Sequence, residues 1–179
     1  MMKLRHLFTF IILTLFCDQA VSFNNFSKSG ITSGLSIPRY VSLKEKKVKL
    51  RIGPGKKYKT KYLYVLQNLP VKIVEEFDNW RKVQDVEGTE GWIHVSMLSG
   101  KSYALVVDNK KFLKEHSVHY IPHSKNALMF SLNTENSSPV AHIELGTLVK
   151  LKKCRGQWCK VTVDSVLGWI RIENLFGAN

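Results

Sequence analysis

The residues able to do chemistry are few, and their spacing limits what they can do. The chain contains three cysteines, Cys17, Cys154 and Cys159. Six histidines include the run His116-x-x-His119-x-x-x-His123. Those three fit neither one strand face nor one helix face cleanly, and only Glu115 stands beside them, so linker histidines are the expectation and a metal site is not. No Gly-x-Ser-x-Gly elbow occurs, and a Cys–His nucleophile would need a cysteine free of any disulfide. Asp78, Asp85, Glu87 and Glu90 crowd one stretch, where a solvated loop accounts for them better than a carboxylate pair for acid–base work. The expectation is a protein that is not an enzyme, with no cofactor and no metal.

What remains is recognition chemistry. Lys44, Lys46, Lys47, Lys49, Arg51, Lys56, Lys57, Lys59 and Lys61 are opposed locally only by Glu45. Tyr58, Tyr62 and Tyr64 interleave with them, and Trp80 follows beside a turn. Arg51, Tyr58, Tyr62, Tyr64 and Trp80 are the candidate ligand-binding residues: aromatic faces to stack on a sugar or an extended peptide, cations to hold an anionic group. A solvated strand face explains the lysines equally well. Trp92 and Trp169, each after a glycine, read as core; Trp80 and Trp158 begin strands beside turns, where an indole is often half exposed, and plain barrel packing is the reading slightly preferred for them over a binding platform.

An internal repeat sets the elements that position these residues. Leu69-Pro70-Val71-Lys72-Ile73, Asn79-Trp80-Arg81-Lys82-Val83, Gly91-Trp92-Ile93 and Leu98-Ser99-Gly100 return as Leu148-Val149-Lys150-Leu151, Gln157-Trp158-Cys159-Lys160-Val161, Gly168-Trp169-Ile170 and Leu175-Phe176-Gly177. The offset is 78 residues to the first tryptophan and 77 from the second glycine, as one deletion in a hairpin loop would produce. Two copies of one small module follow. Within each, short apolar runs alternate at period two, as in Val48, Leu50 and Ile52, and turn residues such as Gly53-Pro54-Gly55 punctuate them. The fold class is all-β: two tandem small barrels of five strands.

The expected boundaries are a signal peptide over 1–22, a flexible leader over 23–38, a first domain over 39–101 and a second over 102–179. Lys3, Arg5 and His6 precede an apolar run from Leu7 to Phe16, and Ala20-Val21-Ser22 offers a cleavage site between Ser22 and Phe23. The run is short of the ~20 residues that span a bilayer, so no stable membrane span is expected after cleavage. An uncleaved anchor and lipidation at Cys17 are the alternatives. Removing Lys3, Arg5 and Asp18 leaves 25 basic against 13 acidic residues, a net charge of +12. That charge suits a polyanionic partner, and export argues against nucleic acid. A hairpin would set Cys154 opposite Cys159, and an oxidising compartment favours their disulfide. A redox dithiol or half of a metal site fits the spacing less well.

Leu50-Arg51-Ile52-Gly53-Pro54-Gly55, Pro70-Val71, Asp78-Asn79-Trp80-Arg81-Lys82-Val83 and Gly88-Thr89-Glu90-Gly91-Trp92-Ile93-His94 resemble the bacterial SH3-like domain family. The closer likeness is to tandem-SH3 exported proteins of alphaproteobacteria, whose second copy bears a Cys-x-x-x-Trp-Cys hairpin. The resemblance covers roughly 39–177 and implies two SH3-like barrels, in a family often found at the cell envelope as peptidoglycan- or protein-targeting modules. Lys49 stands where the family usually has Asn. Ala127 to Asn133 lacks the Arg and the Gly-Pro-x turn, with Met129, Ser131 and Leu132 in their places, so a site is expected mainly on the first copy. The expected function is a non-enzymatic exported module in the periplasm or envelope, binding peptidoglycan or a peptide-bearing wall polymer. The alternative is a protein–protein adaptor that uses its sheet edges to bind an envelope protein. The sequence leaves the oligomeric state open.

Overall fold

Hydrophobic alternation resolves into two separate antiparallel sheets. The computed structural model describes residues 28–108 and 126–178. The expected signal segment with Ser22 and Phe23, Cys17, and the histidines 116, 119 and 123 lie outside the described residues. A small hairpin, β1 (Lys28–Ser29) with β2 (Ser36–Ile37), comes first. The first sheet follows with β3 (Arg39–Leu43), β4 (Val48–Arg51), β5 (Thr60–Tyr64), β6 (Pro70–Phe77), β7 (Trp80–Gln84), β8 (Glu90–His94) and, after a 3-10 turn at Val95–Met97, β9 (Leu98–Ser99). The second contains β10 (Tyr103–Val106), β11 (Asn126–Phe130), β12 (Pro139–Glu144), β13 (Leu148–Arg155), β14 (Trp158–Val163), β15 (Val166–Arg171), a 3-10 turn at Ile172–Asn174 and β16 (Leu175–Phe176). Their strand orders, β5-β4-β8-β7-β6-β3-β9 and β12-β11-β15-β14-β13-β10-β16, are the same order position for position. The repeat in sequence is a repeat in topology.

Each sheet has its own core. Val48 and Leu50 point inward from β4 to meet Leu43, Val71, Ile73, Val83 and Ile93. Ala127, Met129, Val149, Val161 and Ile170 do the same in the second copy. The glycine before each second tryptophan has a steric cause. A Cβ on Gly91 would lie 2.5 Å from Leu50 Cγ, and one on Gly168 would lie 2.5 Å from Met129 Cγ. Met129 therefore occupies the place of Leu50. Arg51 pairs with Trp92 and Phe130 pairs with Trp169, so the residue standing in for Arg51 is Phe130. This corrects the expected placement of Met129 by one residue.

The hairpins tighten further than their sequences suggest. Arg155 pairs with Trp158 beyond the Cys154–Cys159 pair, so the turn has two residues rather than four, and the two cysteines are disulfide-bonded. In the first copy Phe77 pairs with Trp80 around Asp78 and Asn79, with Asp78 at φ 45°.

Residues 28–37 differ from the expected flexible leader. Their hairpin is anchored by Glu76 of β6, whose carboxylate accepts from the Thr32 amide (3.2 Å), the Ser33 amide (2.8 Å), the Ser33 hydroxyl (2.7 Å) and Arg39 (2.7 Å), with Arg81 Nε at 3.4 Å. Ile37 joins the first core. Burial alone would raise the Glu76 pKa. The Ser33 hydroxyl, Arg39, the Ser33 amide and Arg81 outweigh it and hold the carboxyl down at about 2.

The two copies meet at the ends of their sheets. The Tyr40 ring of β3 packs edge-on against the Phe176 ring of β16, centroids 5.2 Å apart, and burial pushes the Tyr40 phenol pKa up.

Candidate binding groove

Alternation along β4 turns Lys49 and Arg51 to the face opposite Val48 and Leu50, about 7 Å from one another. That outer face forms one side of a groove of about 570 Å³. Lys47 stands just before the strand, and Lys56 comes from the following turn. Apolar surface flanks β4 on both sides: Leu63 of β5 beside Lys49, and Trp80 and Met97, with His94 and Ser96, from β7, β8 and the turn after it. Each has an identifiable support. Arg51 Nη1 donates to the Tyr58 carbonyl at 2.7 Å, which fixes the arginine and the turn together. His94 pairs with Trp80 across β7 and β8, ring centroids 5.3 Å apart and nearly perpendicular. Its Nδ1 lies 2.8 Å from the Ser96 hydroxyl and accepts from the Ser96 amide, which caps the 3-10 turn that places Met97.

The structure brings Arg51 and Trp80 of the candidate residues to the groove and leaves the three tyrosines out. Leu63 is the β5 residue opposite Lys49. Tyr62 and Tyr64 oppose Leu50 and Val48, so the two-residue period puts them on the other face. Tyr64 is buried, and its hydroxyl donates to Asp85 Oδ2 at 2.8 Å. Burial first, then that hydrogen bond, push its phenol pKa up. Tyr62 is exposed and packs on Tyr64 with centroids 5.1 Å apart. Tyr58 packs on Gly53, with Lys57 Nζ 5.6 Å from its ring centroid.

Trp80 is only 9 % exposed, as barrel packing rather than an open stacking face would have it. Trp92 is half-buried rather than core, while Trp158 and Trp169 are both buried. Ile93 and Ile170 take the inward positions, leaving each neighbouring tryptophan on the outer face. Lys153 and Lys160 then cover Trp169, each Nζ 5.9 Å from its centroid.

The acidic hairpin of the first copy has structural duties. Asp85 is buried, not solvated, and accepts from the Glu87 and Thr89 amides as well as from Tyr64. Lys82 takes Glu90 at 3.0 Å and Glu75 at 3.9 Å. Among the described residues no carboxylate pairs with Lys47, Lys49, Arg51 or Lys56. Among the same residues no set of three His, Cys, Asp or Glu side chains could hold a metal.

In the second copy the matching surface carries different side chains. Phe130 packs edge-on against Trp158 with centroids 5.5 Å apart. Arg171, in the place of His94, sets its guanidinium 5.5 Å from the Trp158 centroid. It is held there by Glu135 at 2.9 Å, Glu173 at 3.1 Å and Gln157 at 3.1 Å. The two copies share a scaffold and differ at the groove.

Comparison with known proteins agrees with this duplication. The family model for the bacterial SH3 domain matches twice, at residues 44–100 and 123–177. Among solved structures, NlpC2 from Trichomonas vaginalis is similar at 12% identity and a TM-score of 0.32, over 78% of this chain and 48% of that one. An NlpC/P60 family protein from Bacillus cereus ATCC 10987 is similar at 12% identity and a TM-score of 0.31, over 78% of this chain and 57% of that one. The chain thus spans about half the length of these structures. Comparison with curated proteins finds no match.

Proposed function

The chain belongs to the bacterial SH3 domain family, and from that premise we propose that it is a non-enzymatic, exported module of the cell envelope. Its first copy binds peptidoglycan or a peptide-bearing wall polymer, and its second copy, stapled by the disulfide, is the support. The observation carrying this reading is the contrast between the copies: cations and apolar side chains border an open groove beside Trp80, while Phe130 and Arg171 occupy the equivalent surface over Trp158. The Cys154–Cys159 bond fits an oxidising compartment such as the periplasm. Among the described residues no helix is long and apolar enough to cross a membrane.

The test is retention of residues 23–179 on purified insoluble peptidoglycan, beside Leu63→Ser and Arg51→Gln variants checked for folding by circular dichroism. Both side chains line the groove, and Leu63 is 45 % exposed, so neither change empties a core. Retention that both variants lose supports the reading, and no retention at low salt rejects it.

A second reading, an adaptor that accepts a strand from an envelope protein, is favoured by the β5 edge. That strand ends its sheet, and Tyr62, Leu63, Val65 and Leu66 are exposed on and just after it. Ionic strength separates the two. Attraction through the lysines weakens as the Debye length falls below ~8 Å, whereas strand pairing changes little.

A further inference from the structure

We infer that the groove of the first copy takes an extended acidic peptide, with carboxylates on alternate residues, and that each molecule carries one such site. The inference rests on reading the groove as a binding site and names the chemistry that fills it.

Three observations carry it. First, among the described residues none of the groove's four cations is paired with a carboxylate, and three acids of the same sheet are engaged elsewhere: Glu75 and Glu90 by Lys82, and Asp85 by its own turn and Tyr64. A cationic groove that lacks internal anions selects anions from outside. Second, Lys49 and Arg51 repeat at two residues on one strand face, with Lys47 in line before them. An extended peptide repeats its side-chain direction at the same interval, about 7 Å, so carboxylates at every second residue can meet successive cations. Arg51 gives Nη1 to the Tyr58 carbonyl, which leaves the Nε and Nη2 edge for a two-point contact with a carboxylate. The residues between the carboxylates turn away from the cations, with Leu63 and Met97 offering apolar contact on either flank of β4. Third, the indole that lines the groove is not open. Trp80 is nearly buried against His94, which leaves it little of the stacking face that a single-stranded nucleic acid would require. The one-site stoichiometry follows from β11, where Leu128 and Phe130 stand in the places of Lys49 and Arg51, so the second copy lacks the row of cations.

Isothermal titration of residues 23–179 with a capped peptide of alternating Glu and Ala, about eight residues long, tests this against the same peptide with Gln for Glu. The expected result is one peptide per chain, with the Gln peptide at least about tenfold weaker. Lys49→Gln and Arg51→Gln should each weaken the Glu peptide by about tenfold with unchanged circular dichroism. Equal binding of the two peptides, or two Glu peptides per chain, overturns the inference. Sacculi, intact and with their carboxyl groups amidated, separate it from the broader reading. Equal retention on both, or preference for a glycerol-phosphate polymer over the Glu peptide, sinks the acidic-peptide inference while wall binding stands. Binding of the Glu peptide without retention on sacculi sinks wall binding and leaves this inference standing.

Discussion

Replacing Glu76 by Gln removes one charge from beneath the N-terminal hairpin and leaves Arg39 and Arg81 facing a neutral amide. Glu76 is buried with its side chain fully covered, and Arg39 and Arg81 are themselves largely buried. Its carboxyl falls from an ordinary 4.5 to about 2, and at about 1.4 kcal/mol per tenfold change this corresponds to roughly 3 kcal/mol favouring the folded, charged state. Breaking a buried ion pair from one side costs about 3–5 kcal/mol by a separate route, so the two figures agree. The sign follows from the lowered value: the contribution is complete above about pH 4.5 and is lost as pH falls toward 2. Urea unfolding followed at the methyl resonances of Val71 and Val83, both buried in the first core, isolates the affected copy, with Val149 and Val161 as the control in the second. The first copy of E76Q should be about 3 kcal/mol less stable at pH 7, and the gap should close as pH approaches 2. Trypsin should also cut faster at Lys28 and Arg39, whose segment loses its anchor. A gap below about 1 kcal/mol at pH 7, or one that stays constant down to pH 2, would refute the assignment of Glu76 as the anchor.

Other changes should act more locally. Tyr64→Phe deletes one donor to Asp85 while two amides remain, so it should cost about 1 kcal/mol in the first copy and leave groove binding unchanged by titration. Gly91→Ala and Gly168→Ala should each destabilise their own copy by about 2 kcal/mol in urea, because the new methyl meets Leu50 or Met129 and a neighbouring carbonyl. Replacing Cys154 and Cys159 together by Ser should cost the second copy about 2 kcal/mol, the low value set by so short a loop, and should not shift the first copy's midpoint.

Much of the scaffold was legible because its determinants are local. Gly-Trp-Ile recurs since the glycine lets a β4 or β11 side chain pass and the isoleucine points inward, and both facts are carried within three residues. The disulfide hairpin was legible for the same reason. The N-terminal hairpin was not, because its anchor lies 43 residues away, at Glu76. The exposure of Trp80 stayed divided between packing and a half-open face because it depends on what crosses the sheet: His94 covers Trp80, and no pattern within β7 announces it. In the groove, composition pointed to lysines and tyrosines together. Strand alternation then divides them, with Lys49 and Arg51 on one face and Tyr62 and Tyr64 on the other. His94 stood within a quoted motif but drew no attention, since its role appears only once β7 and β8 are paired.

The pairing of β3 with β9, and of β10 with β16, brings the chain's way in and way out of each copy to one place. Only residues 100–102 separate the last strand of the first copy from the opening strand of the second. A unit whose ends meet can be duplicated in tandem without rerouting anything inside it, so a second copy adds little topological burden. Once duplicated, the copies need not share one task. The glycine, the isoleucine and the inward strand positions answer to folding and must be kept in both, while the outward positions carry no share of the core and are free to differ between copies. Phe130 and Arg171 show how far the outward positions differ while the scaffold stays the same: where the first copy places Arg51 and His94, the second sets an aromatic ring and a guanidinium against Trp158.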